Sequence, residues 1–281
     1  MLVKISKLAV AAVTAVALSA LTACGGTPAA PSGPSSSAPG GGESPSAPAV
    51  DYQTVEAGVL TVCSDVPYPP FEVEDASSPS GYSGFDIDVM AEISKRLGLT
   101  LKVIDSDFDA LQSGTVLVAN QCDVAASAMT ITEERKANLD FSEPYYDSLQ
   151  SLLVKTDSGI TKLADMAGKK IGVQKGTTGK TYATENAPKD AEIIDYPSDG
   201  ELWPAIQATL IDAILQDQPV NHEHEVADAN YKIVETYNTD EQYGYAFAKG
   251  QKLELQAGVN AQLKAMRDDG TYDTIYEKYF G

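Results

Sequence analysis

The sequence predicts an α/β protein of two lobes with a cleft between them. Three observations carry this: a strand–helix–strand series starts at Leu60, a second of the same kind starts at Leu163, and two extended segments, 150–155 and 243–248, join the series. Leu60-Thr-Val-Cys-Ser reads as a buried strand, and a Pro-rich loop over Pro67–Pro70 leads to a helix with Asp86 as N-cap. Ile87, Met90, Ile93 and Leu97 recur at helical spacing, Gly98 stops the helix, and a strand follows over Leu99–Ile104. A short helix around Ala110 feeds a further strand, Asp123–Ala128, which leaves through Thr130–Arg135. Strands linked by helical crossovers form a parallel sheet. The second series runs from Leu163–Gly168 through a strand at Lys170–Gln174, a Gly-rich turn, a helix from Gly179, a strand at Ala191–Tyr196, a helix over 199–209 and a strand at Ile211–Leu215. From Leu253 to Phe280 the pattern is an amphipathic helix. The expected lobes are 51–151 plus 245–281, and 152–244.

Residues 1–23 read as a secretory signal, with Lys4 and Lys7 ahead of an apolar stretch, Leu8–Leu21, that is too short to span a bilayer. It ends in Leu21-Thr22-Ala23-Cys24, which resembles the bacterial lipobox and implies a diacylglycerol on Cys24. Residues 24–50 then form a tether: beyond Cys24 they are almost wholly Gly, Pro, Ser and Ala, with Glu43 the one charge, too polar to bury a core. The chain has 20 basic and 40 acidic residues, and loss of Lys4 and Lys7 leaves 18 against 40, a formal charge of −22. That balance argues against nucleic acid as a partner. Cys63 and Cys122 remain, free or paired, at a spacing that suggests no metal. His222 and His224, i and i+2 in an acidic helix, face different directions and read as surface residues.

The stretch Asp123-Val-Ala-Ala-Ser-Ala-Met-Thr-Ile-Thr-Glu-Glu-Arg135, continued by Asp140-Phe-Ser-Glu-Pro-Tyr145, resembles the signature of the family 3 extracellular solute-binding proteins, which bind polar amino acids. Gly84-Phe-Asp-Ile-Asp88, Gly168-Lys-Lys-Ile-Gly-Val173, Asp212–Asp217 and Gly270-Thr-Tyr-Asp273 with Tyr279-Phe280 fit the same family, in order, over 55–281. The resemblance implies a type II periplasmic-binding-protein fold whose two crossover strands act as a hinge.

A free amino acid needs partners for its carboxylate and its ammonium and a wall for its side chain. The resemblance places the carboxylate on Arg135, whose planar fork can hold it bidentately; alone, this arginine would read as a surface residue paired with Glu133 or Glu134. Lys175-Gly-Thr-Thr-Gly179 opens a helix, so amides at Thr177 and Thr178 can donate to the same group, although such a turn is by itself an ordinary helix entry. By the same resemblance Asp217, elsewhere a helix cap, takes the α-ammonium, with Thr130, the Ala128 carbonyl and Ser127 completing the cage. Tyr68 and Phe108, the latter equally a core residue, enclose the side chain, and Asp65 accepts from a side-chain nitrogen.

The expected function is therefore capture of a basic amino acid or glutamine for an ABC permease, by a monomer held to the membrane through lipid alone, with no cofactor, metal or catalysis. Two other readings stay open: an enzyme on the same fold, such as a periplasmic dehydratase, and an amino-acid-sensing lipoprotein, against which stands the absence of a signalling segment before the sequence stops at Gly281.

Overall fold

The computed structural model describes residues 50–281; the expected signal segment, Cys24 and nearly all of the tether lie outside the described residues. In chain order the first half comprises β1 (Val59–Ser64), β2 (Val73–Glu74), β3 (Tyr82–Ser83), α1 (Phe85–Leu97), β4 (Thr100–Asp105), α2 (Phe108–Gln112), α3 (Thr115–Val118), β5 (Val124–Ala125), α4 (Glu133–Lys136) and β6 (Leu139–Phe141). Next come β7 (Tyr146–Lys155), a 3-10 turn at Leu163–Met166, β8 (Lys170–Gln174), α5 (Thr178–Asn186), β9 (Glu192–Tyr196), α6 (Asp199–Gln207), β10 (Ala213–Asp217), α7 (Gln218–Ala227) and β11 (Tyr231–Tyr243). The chain then returns through β12 (Ala246–Ala248) to α8 (Leu253–Asp268) and α9 (Thr271–Phe280).

Two five-stranded sheets result, ordered β4-β1-β5-β12-β6 and β11-β7-β10-β8-β9. In each, a central strand lies parallel to two neighbours, β1 to β4 and β5, and β8 to β9 and β10. Two further strands extend each trio antiparallel, β12 and β6 in the first sheet, β7 and β11 in the second. The chain passes between the sheets twice, at 142–145 and at Gly244-Tyr245, and the two passages are bonded side by side through Tyr145 N to Tyr243 O (2.9 Å) and Ser142 N to Tyr245 O (2.8 Å). Both sheets bury apolar side chains on both faces: Leu60, Phe85, Ile93 and Phe247 against Leu111, Leu117 and Met129 in the first, Val154, Met166 and Leu215 against Leu202, Ile206 and Ile214 in the second. Cys63 at the end of β1 is disulfide-bonded to Cys122, just ahead of β5.

Several elements differ from expectation, each for a local reason. Asp86 does not cap α1. Gly84 holds that position, at φ 129°, where a Cβ would lie 2.1 Å from the Phe71 carbonyl oxygen. The carbonyls of Pro70 and Phe71 accept from the amides of Phe85 and Asp86, so the Asp86 carboxyl is free to turn into the protein, where it is fully buried. The expected strand over 123–128 is paired only at Val124–Ala125, since the chain turns away at Ala128, which has φ 44°. The segment 243–248 is split between β11 and β12 by Gly244-Tyr245, and the long terminal helix breaks at Asp269-Gly270. Alternation in the sequence does not reveal β11, because register shifts interrupt it after Ile233 and after Tyr237. His222 is exposed, but His224 is not a surface residue. It shares the inner face of α7 with Val220 and Asn221, its Nε2 lies 2.9 and 3.0 Å from the two Asp199 oxygens, and its ring stacks on Trp203 at 4.1 Å.

Candidate ligand-binding site

The carboxyl ends of the parallel strands in both sheets point at one place, as expected of ligand sites in α/β folds. β1 delivers Asp65, the segment after β5 delivers 127–130, β8 ends at Gln174 and β10 at Asp217. Asp65, Tyr68, Phe108, Ser127, Ala128, Thr130, Arg135, Thr177, Thr178 and Asp217 all line a single enclosure, closed down to about 10 Å³, together with Gln174. The sequence-predicted set is thus gathered at one point despite coming from two sheets.

Arg135 sits on α4, whose N-cap Thr132 accepts from the Arg135 amide at 3.1 Å. Its side chain turns inward, 5% exposed. Nη1 donates to the Thr130 carbonyl at 2.7 Å, Nη2 donates to the Gly176 carbonyl at 2.9 Å, and the guanidinium lies 5.2 Å from the centre of the Phe108 ring. The surface pairing that the sequence allowed goes instead to Lys136, 2.8 Å from Glu133. Burial pulls the Arg135 pKa down to about 10, opposed by the carboxylates of Asp217 and Glu241, so the group remains a cation at neutral pH.

Across the enclosure, Thr177 caps α5: its hydroxyl accepts from Lys180 N at 3.1 Å and donates to Gln174 O at 2.8 Å. This leaves the first amides of the helix, at Thr178 and Gly179, to serve as the donors that a helix start cannot satisfy within itself. Gly179 is required here because a Cβ would come within 2.8 Å of Gln150 Oε1 and 3.1 Å of the Leu215 carbonyl oxygen. Asp217 stands at the N-cap of α7 without bonding to it. Tyr68 donates its hydroxyl to Asp217 Oδ2 at 2.9 Å, and Gln150 Nε2 donates to Oδ1 at 2.5 Å. Burial, reinforced by Glu241, pushes the Asp217 pKa up to about 7. A cation placed beside it would reverse that shift.

At the other end Asp65, 4% exposed, accepts from Gln174 Nε2 at 2.5 Å through Oδ2. Its pKa is raised to about 7 by burial, with the Gln174 bond opposing and Asp105 and Asp107 adding to the rise. The rings of Tyr68 and Phe108 form the apolar walls, and Phe108 also packs in the core with Leu111, so both readings of that residue hold. Ser127 has a supporting position: its hydroxyl accepts from Asp65 N at 3.0 Å and donates to Glu72 Oε1 at 2.5 Å. Ala128 N donates to Asp86 Oδ2 at 2.9 Å.

Three polar residues at or beneath the site go beyond the sequence-predicted set. Gln174 is signalled by its place at the carboxyl end of a parallel strand. Gln150 and Glu241, on β7 and β11, carry no such signal, since only the pairing of these two strands puts them beneath the cavity.

Residues 60–281 match the model of the bacterial extracellular solute-binding proteins, family 3. The chain belongs to that family. It is 35% identical over 198 residues to the ABC transporter glutamine-binding protein GlnH of Bacillus subtilis (strain 168), covering 70% of this chain and 72% of that one. Among solved structures, an ancestral arginine-binding protein bound to glutamine matches with a TM-score of 0.73 and 36% identity over 80% of this chain and 99% of the other; the same description with arginine bound matches at 0.72. The ancestral amino acid-binding protein AncCDT-1, a precursor of cyclohexadienyl dehydratase, matches at 0.71 with 35% identity, over 80% of this chain and 96% of that one. The architecture is the two-lobed type II fold of these binding proteins, with the two side-by-side crossings as its hinge. Homologues of the chain are amino-acid-binding proteins of ABC transporters.

Proposed function

We propose that this protein binds a free polar amino acid carrying a side-chain nitrogen and delivers it to an ABC permease, catalysing no reaction. The observation that carries the reading is the division of charge within one small enclosure: the Arg135 guanidinium belongs to the first-sheet side and the Asp217 carboxylate to the second. An α-carboxylate satisfies the first, together with the Thr177–Thr178 helix start, and an α-ammonium satisfies the second, together with Thr130 and the Ala128 carbonyl. Only a zwitterion does both. Lobes 51–151 plus 245–281 and 152–244 close because ligand favours the closed form by this differential affinity.

At the side-chain end, Asp65 opposes acidic ligands by like charge, and a side-chain nitrogen adds a donor to the one Gln174 already supplies, whereas an aliphatic side chain adds none. Between a basic amino acid and glutamine, the acceptor carboxyl and two flanking rings favour the cation. A thermal-shift screen of the common amino acids tests this, since binding stabilises the fold by mass action. Arginine, lysine, ornithine or glutamine should shift most; glutamate, aspartate or a branched aliphatic in first place would exclude Asp65 as the acceptor for the ligand side chain. Every polar side chain of the enclosure has a place in holding an amino acid or in supporting a residue that does, which favours a binding protein over an enzyme. We further infer a monomer anchored outside the cytoplasm by lipid on Cys24. Cys24→Ser should release it from the membrane fraction, and equal release of both forms would discard the anchor.

A further inference from the structure

Glu241 is a buried carboxylate on β11, 7% exposed, which lines the larger opening beside the enclosure and not the enclosure itself. Its Oε2 accepts from Thr130 Oγ1 at 2.6 Å and from Thr178 Oγ1 at 2.7 Å. Its Oε1 accepts from Gln150 Nε2 at 3.1 Å and from Thr239 Oγ1 at 2.8 Å. Thr130 lies on the segment leaving the first sheet, while Thr178 opens the helix packed on the second. Gln150 belongs to β7, which pairs with β11 in the second sheet, and the same amide nitrogen also donates to Asp217. One carboxylate therefore touches both walls of the cleft, on a strand that runs directly into the crossing at Gly244-Tyr245.

Bonds from hydroxyls to a carboxylate are stronger than those to a neutral oxygen. Those from Thr130 and Gln150 are also buried, where losing one leaves a group unsatisfied, while those from Thr178 and Thr239 are partly buried. We propose that Glu241 is a positioning residue that couples the hinge to ligand capture: it draws Thr130 and Thr178 together across the cleft, and so favours the closed arrangement in which Arg135 and Asp217 can be engaged by one ligand. The proposal rests on the binding reading above for its second half, the ligand, but not for its first, the closure. Glutamine at this position retains one acceptor oxygen for the two hydroxyls, yet it turns an NH₂ toward the donors of Gln150 and Thr239. Alanine removes all four bonds.

The test compares the wild type, Glu241→Ala, Glu241→Gln and the double variant Thr130→Val/Thr178→Val, each with spin labels at Ser113→Cys and Thr184→Cys, exposed positions at the end of α2 and on α5 that flank the larger opening beside the site. In ligand-free protein, Glu241→Ala and the double threonine variant should both move the inter-label distances to longer values, with Glu241→Gln between them and the wild type. With arginine as probe, Glu241→Ala should close at about tenfold higher concentration than the wild type, the size of an ordinary coupling. Distances in ligand-free Glu241→Ala and in the double threonine variant that coincide with wild type overturn the proposal, even if the variants are less stable. If no amino acid changes the distances in any of the proteins, the proposed function fails, and the ligand-free comparison still decides the role of Glu241.

Discussion

The two walls of the cleft hold opposite charges at the front and different polar layers behind. Behind the first-sheet wall, Ser127 and Ala128 rest on two fully buried carboxyls, Glu72 and Asp86. Tyr145 donates to Asp86 at 2.7 Å, but among the described residues Glu72 Oε2 and Asp86 Oδ1 find no partner and no cation is bonded to either carboxyl. Behind the second-sheet wall, Asp199 faces the His224 ring and accepts from Gln216 at 2.9 Å, and Asn221 ties the layer to Ser151. The difference shows two ways of keeping a carboxyl out of water. Burial pushes the Glu72 pKa well above the carboxylate range and the Asp86 pKa to about 7, which favours the protonated form in the first layer. The second sets an imidazole ring and an amide donor on its carboxyl.

The largest effect should come from the charges at the front. Arg135→Ala and Asp217→Ala each leave one ligand charge buried without its partner, at about 3 kcal/mol or more, which is over a hundredfold in affinity. Calorimetry with arginine and glutamine checks this, and a variant within about threefold of wild type would show that its wall does not carry a ligand charge. Next is the disulfide, which belongs to the first wall alone. Its partners are 59 residues apart, and Cys63→Ser/Cys122→Ser should lower unfolding stability by about 3 kcal/mol in a denaturant titration.

A third measurement separates the two layers by pH. Asp86, with a folded pKa of about 7, lies above its unfolded value, and Glu72 is raised in the same direction. The folded protein therefore binds more protons than the unfolded chain between about pH 4 and 7. Stability from these groups is present below the unfolded pKa and is lost as pH rises through the folded one. Asp65 and Asp217 add to the same fall in ligand-free protein. Glu72→Gln, which stays neutral, should flatten the decline, whereas Asn221→Ala behind the other wall should lower stability by a similar amount at each pH. An unchanged slope in Glu72→Gln would break the contrast between the layers. The smallest effect is expected at Ala128, whose φ of 44° is uncommon for a residue with a Cβ. Ala128→Gly relieves that conformation but adds freedom to the unfolded chain, so the net change in unfolding free energy should stay below about 1 kcal/mol.

Much of this is legible before folding. The parallel strands at Leu60 and Lys170 stand out because they are buried on both faces, and α1 because Ile87, Met90, Ile93 and Leu97 repeat at the helical period. Five of the ten candidate site residues, Ser127, Ala128, Thr130, Arg135 and Asp217, stand in the ordered motifs, and all ten meet because the topology brings strand ends together. His224 departs from its surface reading because a polar residue on an inner helix face has no mark of its own in the sequence until Asp199 and Trp203 arrive from another helix. Asp86 departs from its capping role for the converse reason, since the carbonyls that replace it as a cap come from the Pro-rich loop.

The sequence by itself determined most of the succession of strands and helices and the two-lobed class, since these follow from local periodicity and from ordered motifs. Tertiary structure alone decided the pairing of Cys63 with Cys122, the inward turn of Asp86 and His224, and the meeting of Gln174 with Asp65 and of Glu241 with Thr130, Thr178 and Gln150. The disulfide and these contacts of Gln174 and Glu241 join residues from 59 to 111 positions apart. Their geometry depends on how two sheets face one another, and no local pattern carries that information.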